Sequence, residues 1–213
     1  MIRRSFIKIG GDLAIDFANT AAPQGDRPEG DRPEGDREDS LRSWRDLIDF
    51  LELRGAVSRD EGVGLRAMGE RDAHACAAAF ERGLELRATV RAMLEALAAR
   101  RPLQAGWVAA VNQALGWGTG ASRLVRQGRG WRLAFASTLG EPLRALAPIA
   151  RSVADLAAQG RAVAVRKCAN PRCVLYFRDT SRARRRRWCS MAVCGNRMKV
   201  AAHTRRHGRR RSA

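Results

Sequence analysis

The chain has 213 residues, of which 45% are hydrophobic, and a formal net charge of +18; this fits one ordinary domain with a small appendage and excludes global disorder. No run of about 18 apolar residues occurs, so no membrane-spanning helix is expected. The apolar start is broken by Gly10, Gly11 and Asp12, too early for a signal peptide, so a cytoplasmic setting with reduced thiols is expected.

Phe6-Ile-Lys-Ile9 reads as a short strand and Gly10-Gly11 as a turn, while Leu13-Ala-Ile-Asp-Phe17 fits a strand or a helix. Residues 25–39 are a tandem repeat, Gly-Asp-Arg-Pro-Glu twice and then Gly35-Asp-Arg-Glu-Asp39. Units so rich in Gly, Pro and charge bury no face, which predicts a solvated loop. Ser40 is a suitable N-cap for a helix carrying Leu41, Trp44, Leu47, Ile48 and Leu51, closed by Gly55. A short helix follows Ser58. A long amphipathic one runs from Arg71 to Arg100, with a break expected near Gly83. Pro102 suits the first turn of the next, with Trp107, Val108, Val111 and Leu115 inward, ended by Gly116, Gly118 and Gly120. Residues 122–136 change to a hairpin pattern around Gly128-Arg129-Gly130. Helix returns after Gly140, with Leu143, Leu146, Ile149, Val153 and Leu156 inward and Gly160 at its end. Asp16 and Asn19 are expected to cap or brace backbone near the first turn.

Beyond residue 160 the character changes. Cys168-Ala-Asn-Pro-Arg-Cys173 and Cys189-Ser-Met-Ala-Val-Cys194 are two C-x4-C pairs separated by fifteen residues. In a reducing compartment such pairs point to a metal rather than a disulfide, and Zn(II) is the usual occupant of four converging thiolates. One structural zinc ion held by Cys168, Cys173, Cys189 and Cys194 is therefore expected. Val174-Leu-Tyr-Phe177 reads as a strand returning through the arginine run, and a helix from Arg197 to about His207 puts Cys194 at its N-terminus. Knuckle, hairpin and helix in that order describe a treble-clef-like finger. A Cys3His set using His203 or His207 is an alternative; Cys76 reads as a small buried hydrophobe and His74 as a helix-side residue.

The fold class is thus mainly α with small β elements (α+β): a helical body over residues 1–160, a finger over 161–207 and a basic tail over 208–213. Residues 161–213 contain 17 Lys and Arg against one acid, Asp179, which leaves the rest of the chain near neutrality. Such asymmetry predicts a polyanion-binding end. Arg182, Arg184, Arg185, Arg186 and Arg187 lie between the cysteine pairs; Arg197, Lys199, Arg205 and Arg206 lie on the following helix. Guanidinium forks suit phosphate oxygens, and the helix is fit to present a basic stripe with His203 to a major groove.

The text Asp179-Thr-Ser181, Arg186-Arg-Trp-Cys-Ser-Met191 and Cys194-Gly-Asn-Arg-Met-Lys199 resembles the CGNR zinc-finger family. Upstream, Gly10-Gly-Asp-Leu-Ala-Ile-Asp-Phe-Ala-Asn-Thr20 is similar to the opening of the ABATE domain that accompanies this finger. The resemblance implies a stress-induced bacterial transcription regulator, with the four cysteines as ligands. The expected partner is DNA, with RNA as the alternative, and the helical body would dimerise or sense a small-molecule effector. A zinc or thiol redox sensor is a competing reading. A zinc-dependent hydrolase is disfavoured, because four cysteines close the metal shell and no nucleophile motif accompanies Asp12 or Asp16.

Overall fold

The computed structural model describes residues 6, 8–21, 39–118, 120–127, 130–137, 141–160, 163–171 and 173–211. The repeat of residues 25–39 lies outside them except for Asp39. The body is built around α1 (Leu13–Thr20), a helix in which every residue from Ala14 to Thr20 is buried. Residues 6, 8 and 9 form no strand, because the Ile9 and Gly10 N–H groups go to the Asp16 carboxylate at 3.2 and 2.7 Å rather than to a ladder. Gly10 is required there: a Cβ would stand 2.6 Å from Ile15 Cγ2. Asp12 caps α1, accepting from Ala14 N at 3.1 Å and from the Ser152 hydroxyl.

Around α1 stand α2 (Trp44–Leu53), α3 (Arg59–Arg71), α4 (Ala73–Ala98) and α5 (Ala105–Gly116). The α2 cap is Ser43 and not Ser40, since the Ser43 hydroxyl reaches Asp46 N while the Ser40 N–H goes to Thr20 O. Ser58 and Glu61 make a reciprocal capping box that fixes the start of α3. α4 runs unbroken through Gly83, where a Cβ would meet Leu146 Cδ2 at 3.2 Å, so the glycine serves close helix packing. Pro102 precedes α5, whose N-cap is Gln104; Val108 is exposed, and the buried face centres on Val111 and Ala114. An antiparallel hairpin, β1 (Gly120–Gln127) with β2 (Gly130–Ser137), follows in the register Gly120↔Ser137 to Gln127↔Gly130. The short α6 (Glu141–Arg144) leads to α7 (Ala147–Gln159), which buries Ile149, Ala150, Val153 and Leu156.

The finger begins with β3 (Val165–Lys167), which pairs antiparallel with β4 (Tyr176–Arg178). The partner of β4 is therefore the segment before the first cysteine pair. The arginine run makes turns, with Arg184 N bonded to Ser181 O at 2.9 Å. A π-helical turn (Met191–Gly195) then opens into α8 (Asn196–Arg211), which continues past His207 through most of the expected tail.

The two edges of β4 are covered differently. Cys168 N bonds Leu175 O and Asp179 N bonds Ala164 O on the β3 side. On the other side Arg178 N donates to Gly10 O at 2.8 Å, and the buried Asn19 amide takes both groups of Tyr176. Asn19 Nδ2 donates to Tyr176 O at 2.9 Å and Oδ1 accepts from Tyr176 N at 3.0 Å. A side-chain amide thus imitates a neighbouring strand. Val163, Val165 and Tyr176 belong to the same buried core as α1, α4 and α7. The Tyr176 hydroxyl donates to Glu95 of α4, and burial followed by that carboxylate pushes its pKa up. The start of the finger and Tyr176 are thus built into the core of the body.

Candidate metal centre and its basic surround

The first cysteine pair lies in the connection between β3 and β4. Cys173 N bonds Asn170 O at 2.9 Å, closing the turn that Asn170-Pro171 favours. Cys189 follows the arginine run, and Cys194 lies in the π-helical turn, whose cap Ser190 accepts from Val193 N at 3.3 Å. Gly195 follows it, and a Cβ there would meet Met191 Sδ at 2.4 Å, a contact that the exposed, flexible Met191 side chain can relieve by turning outward.

These constraints bring all four sulfurs within 4.8 Å of one another, with no histidine in the cluster among the described residues. Cys173–Cys189 and Cys189–Cys194 sulfur separations are both 3.7 Å. A tetrahedron with metal–sulfur bonds of about 2.3 Å has edges of about 3.8 Å. The donor set fits such an ion. All four thiols are free; Cys168, Cys189 and Cys194 are buried and Cys173 is half-buried. Leu175 and Phe177 form the adjoining core, flanked by Ile9 and Trp188. The Asn170 amide points at Cys194 Sγ and Cys189 N at Cys168 Sγ, each at 3.4 Å, and N–H groups so aimed favour the thiolate form that metals require.

Crowding couples the thiols. Hydrogen bonds from Cys173 and then Cys189 draw Cys168 far below the ordinary thiol range, to about 2, whereas the bond to Cys168 pushes Cys173 up to about 12. Cys189 rises as well, first through Cys168 and then Cys173. Neighbouring thiolates repel, and a divalent cation is what lets all four ionise together.

Two family patterns cover this arrangement. Residues 164–207 match the CGNR zinc finger, and residues 11–160 match ABATE, described as "Putative stress-induced transcription regulator". The chain belongs to the ABATE family. No curated protein matches it.

In this ABATE protein the expected basic residues divide into two kinds. Arg182, Arg184, Arg185 and Arg187 are exposed around the arginine loop, and Arg197 and Lys199 are exposed on α8. Arg205 and Arg206 continue the same helix. Arg186 differs, because its guanidinium donates to Trp188 O at 3.0 Å and to Cys189 O and lies 4.5 Å from the Phe177 ring. It holds the second cysteine pair against β4. The loop is organised by Asp179, whose buried carboxylate accepts from Ser181 N, Ser181 Oγ, Arg186 N and Arg166 Nε. Burial alone would raise its pKa, but the bonds from Ser181 and Arg186 with the Arg166 charge hold it below the usual range. The Asp179-Thr-Ser181 triplet is the local turn pattern that signals this role. Arg166 carries no such signal, and Asn19, expected to brace backbone near the first turn, braces that of Tyr176 in β4 instead.

His203 is exposed on α8, Cys76 is buried in α4, and burial followed by Asp72 raises the Cys76 pKa. Among the described residues no helix is long and apolar enough to cross a membrane.

Proposed function

We propose that this ABATE protein is a DNA-binding transcription regulator whose finger is held by one Zn(II) ion. The observation that carries the reading is α8. From Asn196 to Thr204 every residue is exposed except the half-buried Met198 and Ala202, and residues 180–213 contain no Asp or Glu. A helix with so little buried face gains little from packing. A polyanion laid against it supplies the missing partner and matches its charge.

Cys168, Cys173, Cys189 and Cys194 would hold the ion, and four thiolates leave no open position for a reactive water. Zinc then stabilises the finger and performs no chemistry. A binding role also suits the carboxylates Asp12 and Asp16, which are engaged in capping α1 and bracing the Gly10 turn. Duplex DNA is favoured over single-stranded RNA because Tyr176 and Phe177 are buried and Trp188 is half-buried beside Arg187, so none forms a stacking platform. A second reading, zinc release on oxidation, draws on Cys173 as the least buried of the four ligands. Zinc retained under mild peroxide would count against it.

Titrating labelled duplex DNA at increasing salt, with and without chelator, tests the main reading. About five phosphate contacts give a log–log slope near −4.5. An affinity indifferent to salt or to zinc removal would overturn it.

A further inference from the structure

A cleft of about 710 Å³ opens between the body and the finger where α4 ends. Its volume falls within the range of small-molecule sites, about 300–1,000 Å³. The apolar lining comes from Leu97, Leu103 and Ala157 of the body with Val163 and Val165 leading into and along β3. The polar lining consists of Arg100, Arg101, Arg166 and Arg184, and among the described residues no Asp or Glu lines the cleft. Arg166 is paired with Asp179 at 3.0 Å, but Arg100, Arg101 and Arg184 make no ion pair among the described residues.

Backbone conformation adds an independent observation. Among the described residues only two non-glycine positions have positive φ, Arg100 at 56° and Arg184 at 46°, and both line this cleft. Arg100 ends α4: its N–H bonds Leu97 O at 3.1 Å while Arg101 N bonds Ala96 O at 2.8 Å. That is the helix-terminating arrangement in which glycine is the least costly residue. A side chain in the left-handed region costs about 1–2 kcal/mol, and non-glycine residues held there cluster at functional sites. Two arginines kept at such positions around one apolar cleft argue for a function of their guanidinium groups.

We propose that the cleft binds an amphipathic organic anion, an apolar chain or ring bearing a carboxylate. Apolar walls take the body of the ligand, and the arginine forks take the carboxylate bidentately. The ligand touches α4 and α7 on one side and β3 and the arginine loop on the other, so its occupancy ties finger to body. The site stands independently of DNA binding and is tested without it.

Isothermal titration of the full-length, zinc-loaded protein with decanoate and decyltrimethylammonium below their micellar concentrations, and with decanol below its solubility, decides the matter. Decanoate should bind one per chain, decanol at least tenfold more weakly, and the cation without measurable heat. Arg100→Gly and Arg184→Gly relax the backbone, so each should fold at least as stably as the parent yet lose tenfold or more in decanoate affinity. Arg82→Ala, on an exposed arginine of α4 paired with Glu85, should bind as the parent does. Equal binding of decanol, unchanged affinity in both glycine variants, an equal loss in Arg82→Ala, or no heat with decanoate would each overturn the proposal.

Discussion

Replacing Asn19 by alanine tests how firmly the finger is joined to the body. The Asn19 amide satisfies both Tyr176 O, at 2.9 Å, and Tyr176 N, at 3.0 Å, in a buried environment. Truncation leaves one backbone donor and one acceptor of β4 buried without partners. Each such group costs about 1–3 kcal/mol, so the expected loss is about 2–6 kcal/mol. Against a typical domain stability of about 5–15 kcal/mol this is a large fraction. Urea unfolding followed by tryptophan fluorescence and far-UV circular dichroism reads the loss, and hydrogen exchange at the Tyr176 amide locates it. The four cysteines are untouched, so zinc stoichiometry should not change and the finger should now unfold before the helices. A cost below about 0.5 kcal/mol, with Tyr176 protection unaltered, would refute the reasoning, since one net neutral hydrogen bond alone is worth about that much.

Two further perturbations address the metal and the loop. Cys173→Ser should abolish stoichiometric zinc in elemental analysis and unfold residues 168–195 locally, while most helical circular dichroism persists; because Tyr176 leaves the shared core, the helices should also melt at a lower temperature. Retained zinc would contradict this. Asp179→Asn should free the arginine loop and lower stability by about 1–3 kcal/mol. The folded pKa of Asp179 is depressed, so its contribution is fully present above the unfolded value of about 3.9 and is lost as pH falls through the lower folded value. The stability gap between parent and variant should therefore stay constant from pH 7 to about 4 and close only below that; a gap closing between pH 7 and 5 would contradict the assignment.

Much of the centre was legible from spacing. Two C-x4-C pairs with a turn-forming Asn170-Pro171 in the first left few ways to place four sulfurs, and the cluster formed as expected. Helix identities followed from apolar period, but starts depended on single hydroxyls: the sequence pointed to Ser40, whereas the cap of α2 is Ser43, whose hydroxyl accepts from Asp46 N. Gly83 looked like a breaker because the sequence does not show that Leu146 lies against it. The pairing of β4 was misjudged for a related reason. Three-residue strands carry too little pattern to name a partner, and one edge of β4 is set by Gly10 and Asn19, which are distant in sequence. Arg186 was indistinguishable from its neighbours within the run Arg184–Arg187, since its inward turn is imposed by Asp179 and the Cys189 backbone.

The Asn19–Tyr176 contact joins positions 157 residues apart. During synthesis α1 is made early, and its buried amide has no strand to bond until almost the whole body and the first cysteine pair have been translated. The strand that completes the innermost helix thus emerges between the first and the second cysteine pair, shortly before the metal site can close. An interrupted or cysteine-damaged copy would carry an unfinished core and not merely lack a finger. Quality control in the cell can therefore recognise a faulty metal site through exposed hydrophobic surface, without any means of sensing the ion itself.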